Sequence, residues 1–200
     1  MALSCQSEAQ TYTIETSLGN IQFKLYEKTP LHKANFEKLI EAQAYDNVLF
    51  HRIIKDFMIQ TGDLSTKPGA DLSAIVEEET IPAEFVPEYI HKKGALAAAR
   101  TGDQVNPELR SSPTQFYIVQ GKTYSEDELA QIEAYTGKSY TPEEKAIYTT
   151  TGGTPFLDNN YTVFGEVIDG LDVVEKISLA PTTPRDSPLE DIRILKITKD

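Results

Sequence analysis

The sequence predicts a mainly β protein, a sandwich or a barrel, on three observations: short strand-forming runs recur along the chain, turn residues separate them, and few segments carry helical periodicity. The first two runs lie in "TYTIETSLGNIQFKLYE", where Tyr12 and Ile14, then Ile21, Phe23 and Leu25, alternate on either side of Leu18-Gly19-Asn20; this is a hairpin pattern. A helix follows over 30–44. In "TPLHKANFEKLIEAQAY", Thr29 is placed to cap, Pro30 suits the first helical position, and Leu31, Ala34, Leu39 and Ala42 recur at roughly helical spacing. Strands are expected at 49–54 and 57–61 and, beyond a loop containing Gly and Pro, at 95–99, 115–119, 163–168 and 192–198.

One segment breaks this rhythm. Between 120 and 155, "SEDE" (Ser125, Glu128) and "TPEE" (Thr141, Glu144) both have capping-box spacing, so a helical pair is inserted between strands. The expected organisation is a tail at 1–10 and one domain at 11–200 with an insertion at about 121–155. Insertions between strands are cheaply tolerated, which favours a solvated decoration; the alternative is a wall of the binding groove, since the segment enters the chain just before Phe156 and Leu157.

At 200 residues, 40% apolar and 25% charged, the chain suits a single soluble globular core. A net charge of -12 argues against a phosphate-binding surface and excludes DNA and RNA as main partners. No apolar run is long enough to span a bilayer. The only cysteine, Cys5, permits no internal disulfide. Its setting, "MALSCQSEAQ", resembles a bacterial lipoprotein's cleavage and lipid-attachment site without the basic and apolar regions that precede one. The chain as it stands is expected to be cytoplasmic and monomeric, a cell-envelope lipoprotein being the alternative if Cys5 is the remnant of such a site.

The chemistry starts from "FHRIIKDFMIQTGD". Strand alternation puts Phe50, Arg52 and Ile54 on one face, so Arg52 either snorkels over apolar surface or stands as a fixed fork of donors at the rim of an apolar pocket. The fourteen residues alone leave both readings open. His51, His32 and His91 lack second ligands at metal-like spacing, and His51 is read as structural; no metal or cofactor is expected. No serine sits in a strand-to-helix elbow, and Gly102 and Gly152-Gly153 lack the lysine and helix of a phosphate loop.

"FHRIIKDFMIQTGD", "GALAAARTGD", "SSPTQFYIV" and "FLDNNYTVFGEV" occur in the order and with the character of the cyclophilins, peptidyl-prolyl cis-trans isomerases, and the chain resembles that family over most of 12–199. The resemblance implies a closed eight-stranded antiparallel barrel capped by two helices, the second at 171–177, with the active site on the outer face. It also implies proline-containing peptides and flexible protein segments as partners. Arg52 corresponds to the catalytic donor, Phe57, Met58, Tyr117 and Leu157 to the proline pocket, and Gln60 and the backbone at Arg100 to substrate-chain anchors. Ala99, Thr101 and Gln115 correspond to lining of the neighbouring groove. The sequence departs from the family at Tyr117, where many members have phenylalanine, at Phe156, where many have tryptophan, and at Tyr161, where many have histidine; these put ligand specificity, rather than activity, in question. "AAARTGD" looks bacterial. A module of this fold that grips proline segments without turning them over is the competing class, and the presence of Arg52 speaks against it.

Overall fold

The alternation of the first hairpin places Tyr12, Ile14, Ile21 and Phe23 on one face, and all four are buried in a single interior. The computed structural model of the chain describes residues 10–70 and 80–200, and the Cys5 reading lies outside them. The hairpin is β1 (Thr11–Thr16) and β2 (Gly19–Leu25). Helix α1 (Pro30–Glu41) and strands β3 (Arg52–Ile54) and β4 (Met58–Thr61) follow. Strands β5 (Ala95–Ala98) and β6 (Phe116–Val119) precede helices α2 (Glu126–Thr136) and α3 (Pro142–Thr150). The chain closes with β7 (Val163–Asp169), α4 (Leu171–Ser178) and β8 (Ile194–Lys199).

The strands form one antiparallel sheet in the order β3-β4-β6-β5-β7-β2-β1-β8. The expected closed barrel is not formed. The sheet is open and strongly curled, with β3 and β8 as its two edges, not paired with each other. At that seam the Ile53 N–H donates to the Asp186 carbonyl (2.8 Å), in the segment before β8, so β3 has no free donor row for β8 to zip onto. Lower down, Leu49 and Arg193 form an isolated bridge, and Phe50 N–H donates to Ile192 O (2.9 Å). Because regular pairing begins only at Arg52, the expected alternation also fails there: Phe50 is buried in the interior with Ile53, while Arg52 points outward.

Two sequence expectations for α1 change. Thr29 makes no side-chain cap; the first amides, Leu31 N–H and His32 N–H, donate instead to the Glu84 carboxylate (3.1 and 3.0 Å). The helix ends at Glu41 rather than 44 because Gln43 adopts a left-handed φ of 53°, with Gln43 N–H to Ile40 O and Ala44 N–H to Leu39 O (both 2.9 Å), a Schellman ending without glycine. Its Phe36 and Leu39 pack into the interior with Val173, Val174 and Ile177 of α4.

Ser125 and Thr141 each form both bonds of a capping box, as their spacing predicts. Helices α2 and α3 enclose a small apolar cluster of their own, Leu129, Tyr140 and Tyr148 with Tyr124 and Ile90. At its base Gly153 bridges both Lys122 and Lys92. A Cβ on Gly153 would lie 2.2 Å from the His91 carbonyl, so only glycine lets the segment seat this closely.

Candidate active site

Sheet register assembles the outer-face site. Arg52 of β3 pairs with Gln60 of β4, Gln60 with Tyr117 of β6, and Tyr117 with Ala97 of β5. These positions form one rung running across four strands, about 14 Å at 4.7–4.9 Å per strand interval. Side chains alternate along each strand, so the inward residues Ile53, Ile59, Leu96, Phe116 and Ile118 join the main core. The outward residues Met58, Ala95, Ala97, Tyr117 and Val119 form a second apolar layer, with Phe57, Leu157 and Tyr161 packed on it.

Above this layer opens a cavity of about 230 Å³ lined by Arg52, Phe57, Met58, Gln60, Ala99, Arg100, Tyr117, Leu157 and Tyr161. It is smaller than the roughly 300–1,000 Å³ of pockets that enclose whole small-molecule ligands, and suits one inserted side chain. Gln115 touches the site through Gln60, whose Nε2 donates to Gln115 Oε1 (3.1 Å). Phe156 stands outside the cavity, 39% exposed, its ring tilted on that of Phe57 at 5.8 Å between centroids. Thr101 is exposed and does not line the cavity; its carbonyl accepts from Arg100 Nη1 (3.0 Å).

Arg52 is about half exposed, and its Nε donates to Asp186 Oδ2 (3.4 Å). That contact uses Nε, and among the described residues no hydrogen bond engages the two terminal amino groups of the fork, which are left for a ligand. An exposed pair of this length contributes at most about 1 kcal/mol, so it orients Arg52 without locking it. The fork therefore stands beside a depression lined by apolar side chains (Phe57, Met58, Leu157) and polar ones (Gln60, Arg100) alike, where a donor partly screened from water acts more strongly than in bulk.

The opposite wall is built differently. Residues 155–161 form a 3-10 turn (Pro155–Leu157) followed by irregular chain. Arg100 clamps it: Nε donates to Asn160 O (2.7 Å) and the guanidinium lies 4.5 Å from the centre of the Tyr161 ring. Asp158, which ends the 3-10 turn, is 4% exposed. Its Oδ1 accepts from the His91 backbone N–H and from Nδ1 (both 2.8 Å), and its Oδ2 from Tyr148 (2.7 Å) and Lys138 (3.0 Å). Burial alone would raise this carboxyl, but the His91 hydrogen bond, the neighbouring positive charge and the Tyr148 bond outweigh it and hold the group below the usual carboxylate range. With Nδ1 donating to Asp158, the other ring nitrogen of His91, Nε2, is hydrogen-bonded to the Tyr117 hydroxyl (3.0 Å), whose pKa burial raises well above 10.

His32 is likewise buried, between Glu84 (2.7 Å) and Ser111 (2.9 Å), and burial lowers its pKa despite Glu84. Sequence reading missed Asp158, His91, Lys138, Tyr148, Asp186 and the Arg100 side chain. Asp158 gave a signal, as an acid directly after the pocket residue Leu157, and Arg100 stood in a segment already assigned to the site; His91, Lys138, Tyr148 and Asp186 reach it from remote segments.

A family model described as cyclophilin type peptidyl-prolyl cis-trans isomerase/CLD matches residues 11–199. A Staphylococcus saprophyticus protein assigned to the peptidyl-prolyl cis-trans isomerases is 38% identical over 182 residues, 90% of this chain and 87% of that protein. A Staphylococcus aureus protein with the same assignment is 35% identical over 185 residues, covering 92% and 88%. Among solved structures, a Cryptosporidium parvum cyclophilin type peptidyl-prolyl cis-trans isomerase superposes with a TM-score of 0.70 at 24% identity, covering 96% of this chain and 98% of its own. A structure of the same protein in the presence of the dipeptide Ala-Pro gives 0.68 at 23% identity, covering 96% and 99%.

Proposed function

Because the chain belongs to the cyclophilin-type peptidyl-prolyl cis-trans isomerases, we propose that it turns over X-Pro bonds in flexible protein segments during folding, with Arg52 as the donor that stabilises the twisted amide. The observation that carries this reading is the rung Arg52–Gln60–Tyr117–Ala97, which sets a guanidinium and an amide beside a pocket of one side chain's size. The Ala-Pro dipeptide accompanying the Cryptosporidium structure supports proline-containing peptides as the substrate class.

The barrier to rotation about a peptide bond is about 18–20 kcal/mol, because the nitrogen lone pair is shared with the carbonyl. X-Pro bonds isomerise unaided over tens to hundreds of seconds. Millisecond turnover requires about 7 kcal/mol of differential stabilisation at 1.36 kcal/mol per tenfold. No bond to carbon breaks, so no nucleophile is called for. In this reading the proline ring enters between Phe57, Met58, Tyr117 and Leu157, and Met58 adapts to its pucker. Gln60, oriented by Gln115, and the backbone at Arg100 hold the flanking chain, so that rotation of one side of the bond is resisted. As the amide twists, its nitrogen lone pair localises, and an Arg52 N–H donates to it more strongly than to the planar ground state. A single chain contains all of these parts, and the active unit is a monomer.

Replacing Arg52 with Ala tests the assignment. In a coupled assay on a short X-Pro peptide, kcat/KM is expected to fall at least about a hundredfold with the far-UV spectrum unchanged. Arginine does not titrate in the working range, so wild-type turnover should be nearly flat between about pH 6 and 8. Near-normal turnover in Arg52→Ala would overturn the assignment.

A further inference from the structure

Four donors converge on the buried carboxylate of Asp158, and they come from opposite sides. Two belong to His91, whose ring continues to the Tyr117 hydroxyl in the pocket floor; the other two, Lys138 and Tyr148, belong to the inserted segment. The carboxylate's lone-pair positions are thereby filled, which a buried charge requires. The same segment holds the pocket wall a second time: the Tyr140 hydroxyl donates to Pro155 O (2.7 Å), at the start of the turn that carries Phe156 and Leu157. A solvated decoration would meet the rest of the domain through exposed side chains. Here Tyr148 and His91 are fully buried; the insert's contacts end on the wall that carries Leu157 and reach Tyr117 through Asp158 and His91.

We infer that Asp158 is a positioning residue for the proline pocket, and that the insert of α2 and α3 acts through it to set the spacing between Leu157 on one wall and Tyr117 on the floor. Asp158 touches no substrate. It fixes Leu157 through the chain, being the next residue, and Tyr117 through His91. The tyrosine hydroxyl matters for this reason: a phenylalanine at this position could not make the bond to His91. The consequence is control of the pocket's width, and hence of proline affinity, by a segment that does not line the pocket. This inference rests on the pocket being the proline site of the proposed reaction.

Asp158→Asn keeps the shape and removes the charge. Measured on a short X-Pro peptide, KM is expected to rise about three- to tenfold, with kcat within about twofold, because binding is weakened alike in ground and transition states. Tyr148→Phe, which deletes one hydroxyl, should move KM in the same direction by a smaller factor, and it serves if Asp158→Asn does not fold. Either variant introduced into Tyr117→Phe should raise KM by less than it does alone, since the route through His91 is already cut. A purely structural carboxylate would lower the unfolding midpoint and leave KM unchanged, or act equally with and without the Tyr117→Phe change; either result overturns the inference. Loss of turnover in Arg52→Ala alongside an unchanged KM in both variants would sink this inference while leaving the proposed reaction standing.

Discussion

The two walls of the pocket are held by different forces. Arg52, Gln60 and Tyr117 sit on strands whose positions are fixed by backbone ladders, which do not depend on any one side chain. Residues 155–161 carry no strand, and side chains hold them: Tyr140 on Pro155, His91, Lys138 and Tyr148 on Asp158, and Arg100 on Asn160. A ladder of many equivalent bonds tolerates single changes, whereas a network of individual bonds can be altered one residue at a time. Under the proposed assignment, the reaction's electrostatics lie on the robust wall and the fit to the substrate on the adjustable one.

Ile59→Ala probes the first wall from its core side, where Ile59 is fully buried opposite Ile53 and Ile118. It should cost about 2–5 kcal/mol of unfolding free energy in urea. The rung is backbone-held, so kcat/KM should change less than about fivefold; a tenfold fall in a folded sample would break the comparison.

Deleting 122–154 with a short Gly-Ser bridge probes the second wall. Its effect should fall next in size, a tenfold to hundredfold loss of kcat/KM on a short peptide, or about 1.4–2.8 kcal/mol, with the sheet's spectrum retained. Loop-length entropy alone would leave activity within about tenfold. Undiminished activity would show that the network is not needed to hold Pro155–Leu157 in place.

Phe156, on the same wall, has no side-chain N–H to donate. A resemblance to the cyclophilins assigns part of the grip on cyclosporin to a tryptophan donor at this position, and a ligand carbonyl left unpaired there costs about 1–3 kcal/mol. Weak cyclosporin binding is expected, and Phe156→Trp should tighten it about five- to 150-fold by calorimetry. Equal affinities would remove Phe156 from the account.

Acid should affect the fold before it affects the chemistry. Burial holds the folded His32 and His51 below their ordinary value, so the unfolded chain binds more protons there, and stability falls as pH drops through about 6.5. Each group contributes a slope of at most about 1.4 kcal/mol per pH unit. The depressed Asp158 carboxyl adds a loss at lower pH, as acid approaches its folded value. Stability rising between pH 7 and 5.5 would contradict these assignments.

The difference between the walls also explains what could be read from the sequence. The strands at 57–61 and 115–119 were legible from their residue types, and the resemblance of "FHRIIKDFMIQTGD" and "SSPTQFYIV" to the cyclophilins assigned Met58, Gln60 and Tyr117 to the site, so the strand-held wall was readable. Alternation failed at Phe50 because the strand starts at Arg52, and closure of the sheet failed because the Asp186 carbonyl takes the Ile53 amide; neither event leaves a local pattern. The capping boxes of α2 and α3 were readable within four residues. The bonds that tie those helices to Asp158 were not, since His91 and Asp158 are 67 residues apart and neither has a periodic neighbour. Glu84 caps α1 from a similar distance, where Thr29 was the local candidate.

Saturation kinetics of Arg52→Ala and Asp158→Asn, run side by side on one X-Pro peptide, test the division of labour most directly. The account expects Arg52→Ala to lose kcat at least about a hundredfold with KM near its wild-type value, and Asp158→Asn to raise KM with kcat nearly intact. The opposite pattern, a loss confined to KM in Arg52→Ala or to kcat in Asp158→Asn, would contradict it.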